Sequence, residues 1–206
     1  LFILSCFFAL NDLTQVHKEI IKALMKNKIN GHTRYLLRIS IGHLREVYWF
    51  LANSFKNPAI EPRLANISKS ADLYEKINRR VNGTGKDNFV FKVLKPSRNL
   101  MFHYGFEEPK DRNTCYQVYD EMKKDAISSK IILGPNNANN YYEFADEYFF
   151  SILVKNGREY GLDLNDLMSQ MGMLTAETME LLDIITSDFL LERQIYMNKV
   201  NPNRNA

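Results

Sequence analysis

Apolar residues recur every three or four positions along most of the chain, the spacing that places them on one face of an α-helix. The clearest case runs over 33–55, where Leu37, Ile41, Leu44, Tyr48, Leu51 and Phe55 form one stripe. Gly31 precedes this stretch and Asn57-Pro58 stops it, because the residue before a proline is pushed out of the helical region. A third helix is expected over 62–81, with Leu64, Ile67, Ala71, Tyr74 and Ile77 inward. Residues 82–88, Asn-Gly-Thr-Gly-Lys-Asp-Asn, read as a loop. Two apolar turns over 89–94 follow, broken by Pro96. Ser97 is placed to cap a helix continuing to Tyr104, with Gly105 as its end.

Further helices are expected over 112–130, with Tyr116, Tyr119, Met122 and Ala126 inward, and over 140–155, 163–170 and 175–197. The last would open on a Thr175 cap. Gly134-Pro135-Asn136-Asn137 is a second loop, and 130–133 is the single short strand candidate. The expected class is all-α, a bundle of long antiparallel helices. The first ten residues are almost wholly apolar and have the length of a signal-peptide core. Leu10, Leu13, Ile20 and Leu24 carry the stripe on into charged territory, so 1–28 reads as one amphipathic helix with a buried start.

The 206 residues suit one domain, with 45% hydrophobic and 25% charged residues. Mean hydropathy is −0.33, and no window holds 18 uncharged apolar residues, so no membrane span is expected. Two cysteines, Cys6 and Cys115, are too few for a disulfide framework or a metal knuckle and fit a reducing, cytoplasmic setting. The net charge of +3 hides an asymmetry: residues 1–98 hold 17 Lys/Arg against 7 Asp/Glu, and residues 141–206 hold 5 against 11. A basic half beside an acidic half suits a polyanion-binding face, or two halves that attract each other.

Four histidines offer proton transfer near neutral pH: His17, His32, His43 and His103. Two have an arginine five residues upstream, as Arg38–His43 and Arg98–His103. The first pair lies inside a long helix, where about 500° of rotation leaves the side chains about 140° apart. His43 also sits one turn from Ile39 and Glu46, which suits a structural role. The second pair follows the Pro96 break. Asn99 comes directly after Arg98, and Asn99 and His103 are i,i+4 on one face. A helix start collects phosphate through unpaired N–H groups, and arginine adds a planar fork. The stretch 69–98 brings eight basic residues, against three acidic ones, up to this point.

Arg98-Asn99-x-x-x-His103, near the start of a late helix in an all-α chain, resembles the R-x4–6-H motif of the HEPN superfamily, in which a polar residue often follows the arginine. The resemblance covers residues 1–130 as a helical bundle; residues 131–206 would be an acidic helical extension packed on the same domain. It implies a metal-independent endoribonuclease, needing no cofactor, of a defence or toxin–antitoxin system. The site would be composite, formed where two protomers of a homodimer meet. His103 would move a proton at the 2′-hydroxyl or the leaving 5′-oxygen, Arg98 would hold phosphorane oxygens, and Asn99 would position His103 or the phosphate. Lys76, Arg79, Arg80, Lys86, Lys92 and Lys95 would bind RNA. Regulation by an antitoxin is a further implication.

The alternative within the same resemblance is a non-catalytic helical partner of a nucleotidyltransferase or another protein, docking through the acidic region. A third reading is a helical interaction protein unrelated to that superfamily. A di-iron bundle is excluded because no Glu-x-x-His unit occurs. Gly83-Thr84-Gly85-Lys86 lacks the phosphate-loop pattern and reads as a turn. The aromatic run from Tyr141 to Phe150 reads as core or dimer interface rather than as a base-stacking surface.

Overall fold

The computed structural model describes residues 1–25, 31–67, 69–82, 90–94, 96–97, 109–124, 131–132 and 141–193. Helices α1 (Phe2–Met25) and α2 (Gly31–Ser54) pack side by side. They run antiparallel: the Phe2 ring stacks on Phe50 at 5.5 Å, and Asp12 meets His43 farther along. The sequence stripe of α2 is the buried one, with Leu37, Ile41, Leu44, Tyr48 and Leu51 all out of water. The expected buried start of α1 is only partly so. Cys6 and Leu13 are buried, whereas Leu1, Leu4 and Phe8 are exposed.

The expected helix over 62–81 is two helices, α3 (Glu61–Asn66) and α4 (Ser70–Asn82). Ile67 takes an extended conformation and Lys69 a left-handed one, with φ of 67°. The Ser70 hydroxyl lies 2.5 and 2.8 Å from the carbonyl oxygens of Leu64 and Ile67. This local side-chain bonding competes with continued helix. Residues Val90–Leu94 form a single π-helical turn that buries Val93 and Leu94.

Helix α5 (Pro109–Lys124) buries Met122 as expected but not the two tyrosines, and Ala126 lies outside the described residues. Tyr116 and Tyr119 are exposed, and Cys115, Val118 and Met122 form a small cluster with Ile152. A tyrosine at helical spacing has a polar tip and is indifferent between core and surface; the smaller apolar residues set the face here. Ile131–Ile132 and Tyr141–Tyr142 make a two-residue antiparallel pair, with Ile131 opposite Tyr142. That short pairing sits within an all-α bundle.

Helices α6 (Glu143–Glu159) and α7 (Leu164–Glu192) are joined by a short turn, and α7 packs mainly on α1 and α4. Asp163 and Asp166 build a reciprocal capping box at the start of α7. The two helices expected over 163–170 and 175–197 are one. Thr175 does not cap; its hydroxyl donates back to the Met171 carbonyl at 2.8 Å. Met171, Leu174, Leu181, Leu182 and Ile185 run straight through the expected break and join the main core, as does the packing of α7 on α1. Tertiary burial outweighs the local threonine signal. Among the described residues, no helix is long and apolar enough to cross a membrane.

Candidate functional site

Arg98, Asn99 and His103 lie outside the described residues, as do Lys86 and Lys95. The structure does describe the residues that lead into the motif. Pro96 and Ser97 are helical, and Ser97 is fully buried. Its hydroxyl donates to the Val93 carbonyl at 2.8 Å and accepts from the Asn156 side-chain amide at 3.1 Å. Asn156 is itself buried in α6. A buried polar pair of this kind is costly to disrupt, because each partner would lose its bond without regaining water. The residue directly before Arg98 is therefore fixed to α6. The π-helical turn just upstream belongs to a rare geometry that concentrates at functional sites.

The candidate RNA-binding cations divide. Lys76 on α4 is committed within the protein, 2.7 Å from Glu177 of α7. Arg79 is exposed on the same helix. Lys92 stands over the Tyr160 ring at 5.2 Å, within cation–π range. Arg80 lies in α4, and its side chain is outside the described residues.

The basic half is partly neutralised by the acidic one. Lys76–Glu177, Arg34–Glu147, Arg38–Asp146 and Arg63–Glu192 all join residues 1–98 to residues 141–206. The Arg38–His43 spacing is taken apart by these contacts. Arg38 turns to Asp146 on α6 at 3.0 Å, and His43 turns to Asp12 on α1 at 3.6 Å. The two side chains serve different helices, so no shared chemistry arises there. The partner of His43 is Asp12 rather than its own-helix neighbour Glu46.

Sequence reasoning missed one cluster. Arg34 and Arg38, one turn apart on α2, face Glu147 and Asp146, adjacent on α6, at 3.1 and 3.0 Å. Arg34 also lies over Phe150 and Arg38 over Tyr35. The Nε atoms of both arginines are buried and make no aligned hydrogen bond. Two cations and two carboxylates balance, so this cluster clamps α2 to α6 and has no net charge to draw in an anion. The i,i+4 arginines on a helix with an otherwise apolar flank were the one available signal.

Among the described residues, neither the Cys6 thiol nor the Tyr148 hydroxyl has the character of a nucleophile. Burial pushes the Cys6 thiol up to about 12, which keeps it protonated and inert. The Tyr148 hydroxyl, half-buried, donates to the Cys115 carbonyl at 2.8 Å, and its ionisation is pushed up by burial. An apolar cleft of about 460 Å³ opens between the start of α1, residues 59–63 and Phe189. Its one charged wall, Arg63, is paired with Glu192, so it has no group to act on a bound molecule. Among the described residues, no three His, Cys, Asp or Glu side chains gather to hold a metal ion. Comparison with protein-family models, curated proteins and solved structures finds no match to this chain.

Proposed function

We propose that the chain is a metal-independent endoribonuclease of the HEPN type, acting in the cytoplasm as a homodimer with a composite site. The observation that carries this reading is the Arg98-Asn99-x-x-x-His103 motif in an all-α bundle. The Ser97–Asn156 anchor supports it, since a site that must hold a phosphate needs a fixed root. In the reaction, the 2′-oxygen attacks the adjacent phosphorus and the bond to the 5′-oxygen breaks. His103 takes the 2′-hydroxyl proton or returns one to the 5′-oxygen. Arg98 offsets the charge that builds on the non-bridging oxygens. Asn99 positions the histidine or the phosphate. The products are a 2′,3′-cyclic phosphate and a 5′-hydroxyl. Such an enzyme belongs with an antitoxin or another brake on its activity.

The test is incubation of the purified chain with total RNA in EDTA, beside His103→Ala. Cleavage by the parent alone, leaving cyclic-phosphate ends, is expected. Equal cleavage by both proteins overturns the role of His103, and no cleavage by either overturns the nuclease.

One observation favours a second reading, a non-catalytic helical partner of a nucleotidyltransferase or another protein. Lys76 and three arginines of the basic half are spent on carboxylates of the acidic half, which lowers the charge left for RNA. Absence of cleavage together with intact folding selects this reading.

A further inference from the structure

Helix α6 ends in a fully formed Schellman motif. The Leu162 N–H donates to the Gly157 carbonyl at 3.0 Å and the Gly161 N–H to the Arg158 carbonyl at 2.9 Å. Gly161 carries the left-handed φ of 74° that the motif requires. The residue held at the centre of this cap is Tyr160. It is 45% exposed, on a backbone fixed on both sides, since the capping box of α7 begins at Asp163. An exposed aromatic ring on a rigid cap loses little freedom when something stacks on it.

Its surroundings suit a nucleic-acid base. Lys92 places an ammonium 5.2 Å from the ring centroid, which supports one face. Tyr160 lies one turn beyond Asn156 on α6, and Asn156 holds Ser97. The Lys92–Tyr160 and Asn156–Ser97 contacts thus join the same two segments, 90–97 and the end of α6, next to the motif in sequence. Two of the nearby carboxylates, Asp163 and Asp166, are bound into the helix cap at the positive end of the α7 dipole; Glu159 and Arg158, neighbours in sequence, are both exposed.

We propose that Tyr160, backed by Lys92, is a stacking platform that positions one base of single-stranded RNA beside the root of the Arg98–His103 motif. The choice of RNA rests on the ribonuclease reading. Alanine substitution of a stacking aromatic weakens binding by about 5- to 150-fold per base, and such stacking is tolerant of sequence.

The test uses full-length protein carrying His103→Ala, so that the probe survives, and anisotropy of a fluorescein-labelled 12-nucleotide single-stranded RNA. Adding Tyr160→Ala is expected to raise Kd about tenfold, in the lower half of the stacking range. Tyr160→Phe, which keeps the ring, is expected to stay within about twofold of the His103→Ala protein. In the otherwise unaltered enzyme, Tyr160→Ala is expected to raise KM more than it lowers kcat. Equal Kd values for the alanine variant and its parent, or no binding by the parent, overturn the platform. A tenfold loss with no His103-dependent cleavage keeps the platform and overturns the nuclease. His103-dependent cleavage with unchanged Kd and KM in Tyr160→Ala does the reverse. Far-ultraviolet circular dichroism of each variant confirms that binding, not folding, is being read; a fold loss in Tyr160→Ala hands the decision to Tyr160→Leu, which keeps bulk but has no π face.

Discussion

Helix α2 is held in two ways. Along one face Leu37, Ile41, Leu44 and Leu51 enter an apolar core shared with α1 and α7. Along another, Arg34 and Arg38 meet Glu147 and Asp146 of α6. The apolar seam is non-directional: its strength follows the area removed from water, and a small slide costs little. The ionic seam is directional. Asp146 is almost wholly buried, so a slide of α6 by one residue would separate a buried carboxylate from its cation. Burial of such a pair contributes little net stability, because desolvation offsets the attraction. The first seam therefore sets how stable the bundle is, and the second sets where α6 sits. On the proposed function the position of α6 matters, because its far end holds Ser97 and carries into Tyr160.

The largest effect should come from the apolar seam. Leu44→Ala removes a fully buried side chain and is expected to cost about 3 kcal/mol in urea unfolding. Its loss should appear as a lower midpoint at unchanged slope. A cost under about 1 kcal/mol would mean the site collapses freely, and the seam is then not close-packed.

Next comes the ionic seam, in a double-mutant cycle. Arg38→Met or Asp146→Leu alone is expected to cost about 2.5 kcal/mol, since each removes one partner of an ion pair whose carboxylate is buried. The pair of changes together should cost clearly less than the two added. Simple additivity would show that Arg38 and Asp146 do not act on each other, and the division of labour between the seams would fail with it. The RNA-binding readout sharpens the contrast. If α6 is displaced in Arg38→Met, binding should fall in that variant and not in Leu44→Ala at equal fraction folded.

These two seams were not equally legible. The α2 stripe could be read directly because burial there follows one helical period without interruption. The ionic seam could not, because Arg34 and Glu147 are far apart in sequence and only packing brings them together. The same reason hid the continuity of α7: Thr175 looks like a cap, yet Met171, Leu174 and Thr178 bury in register across the expected break. The division between α3 and α4 rests on Lys69 in a left-handed conformation, which a lysine does not announce. Of the candidate site, the motif was visible as a pattern of residue types. Its anchor through Ser97 and Asn156 was not, since Ser97 read locally as a forward cap. Tyr160 was missed for the reason that misled α5: tyrosine at helical spacing does not declare which side it takes.

The smallest effect tests a polar contact between α2 and α7 inside the apolar seam. The Tyr48 hydroxyl lies 2.9 Å from Thr178 Oγ1, with both groups buried. Thr178 already donates to the Leu174 carbonyl at 2.7 Å, so its oxygen is the acceptor and Tyr48 the donor. Tyr48→Phe removes that donor and leaves Thr178 still bonded. No donor or acceptor is then stranded without any bond, and the expected cost is about 1 kcal/mol. Thr178→Val is the harsher change, because it deprives the Tyr48 hydroxyl of this acceptor in the core; about 2 kcal/mol is expected. If the two variants cost the same, the hydroxyls contribute only as volume, and the seam is apolar in effect as well as in composition. If Thr178→Val costs more, the seam contains one directional contact, which fixes α2 against α7 much as Arg38 fixes it against α6.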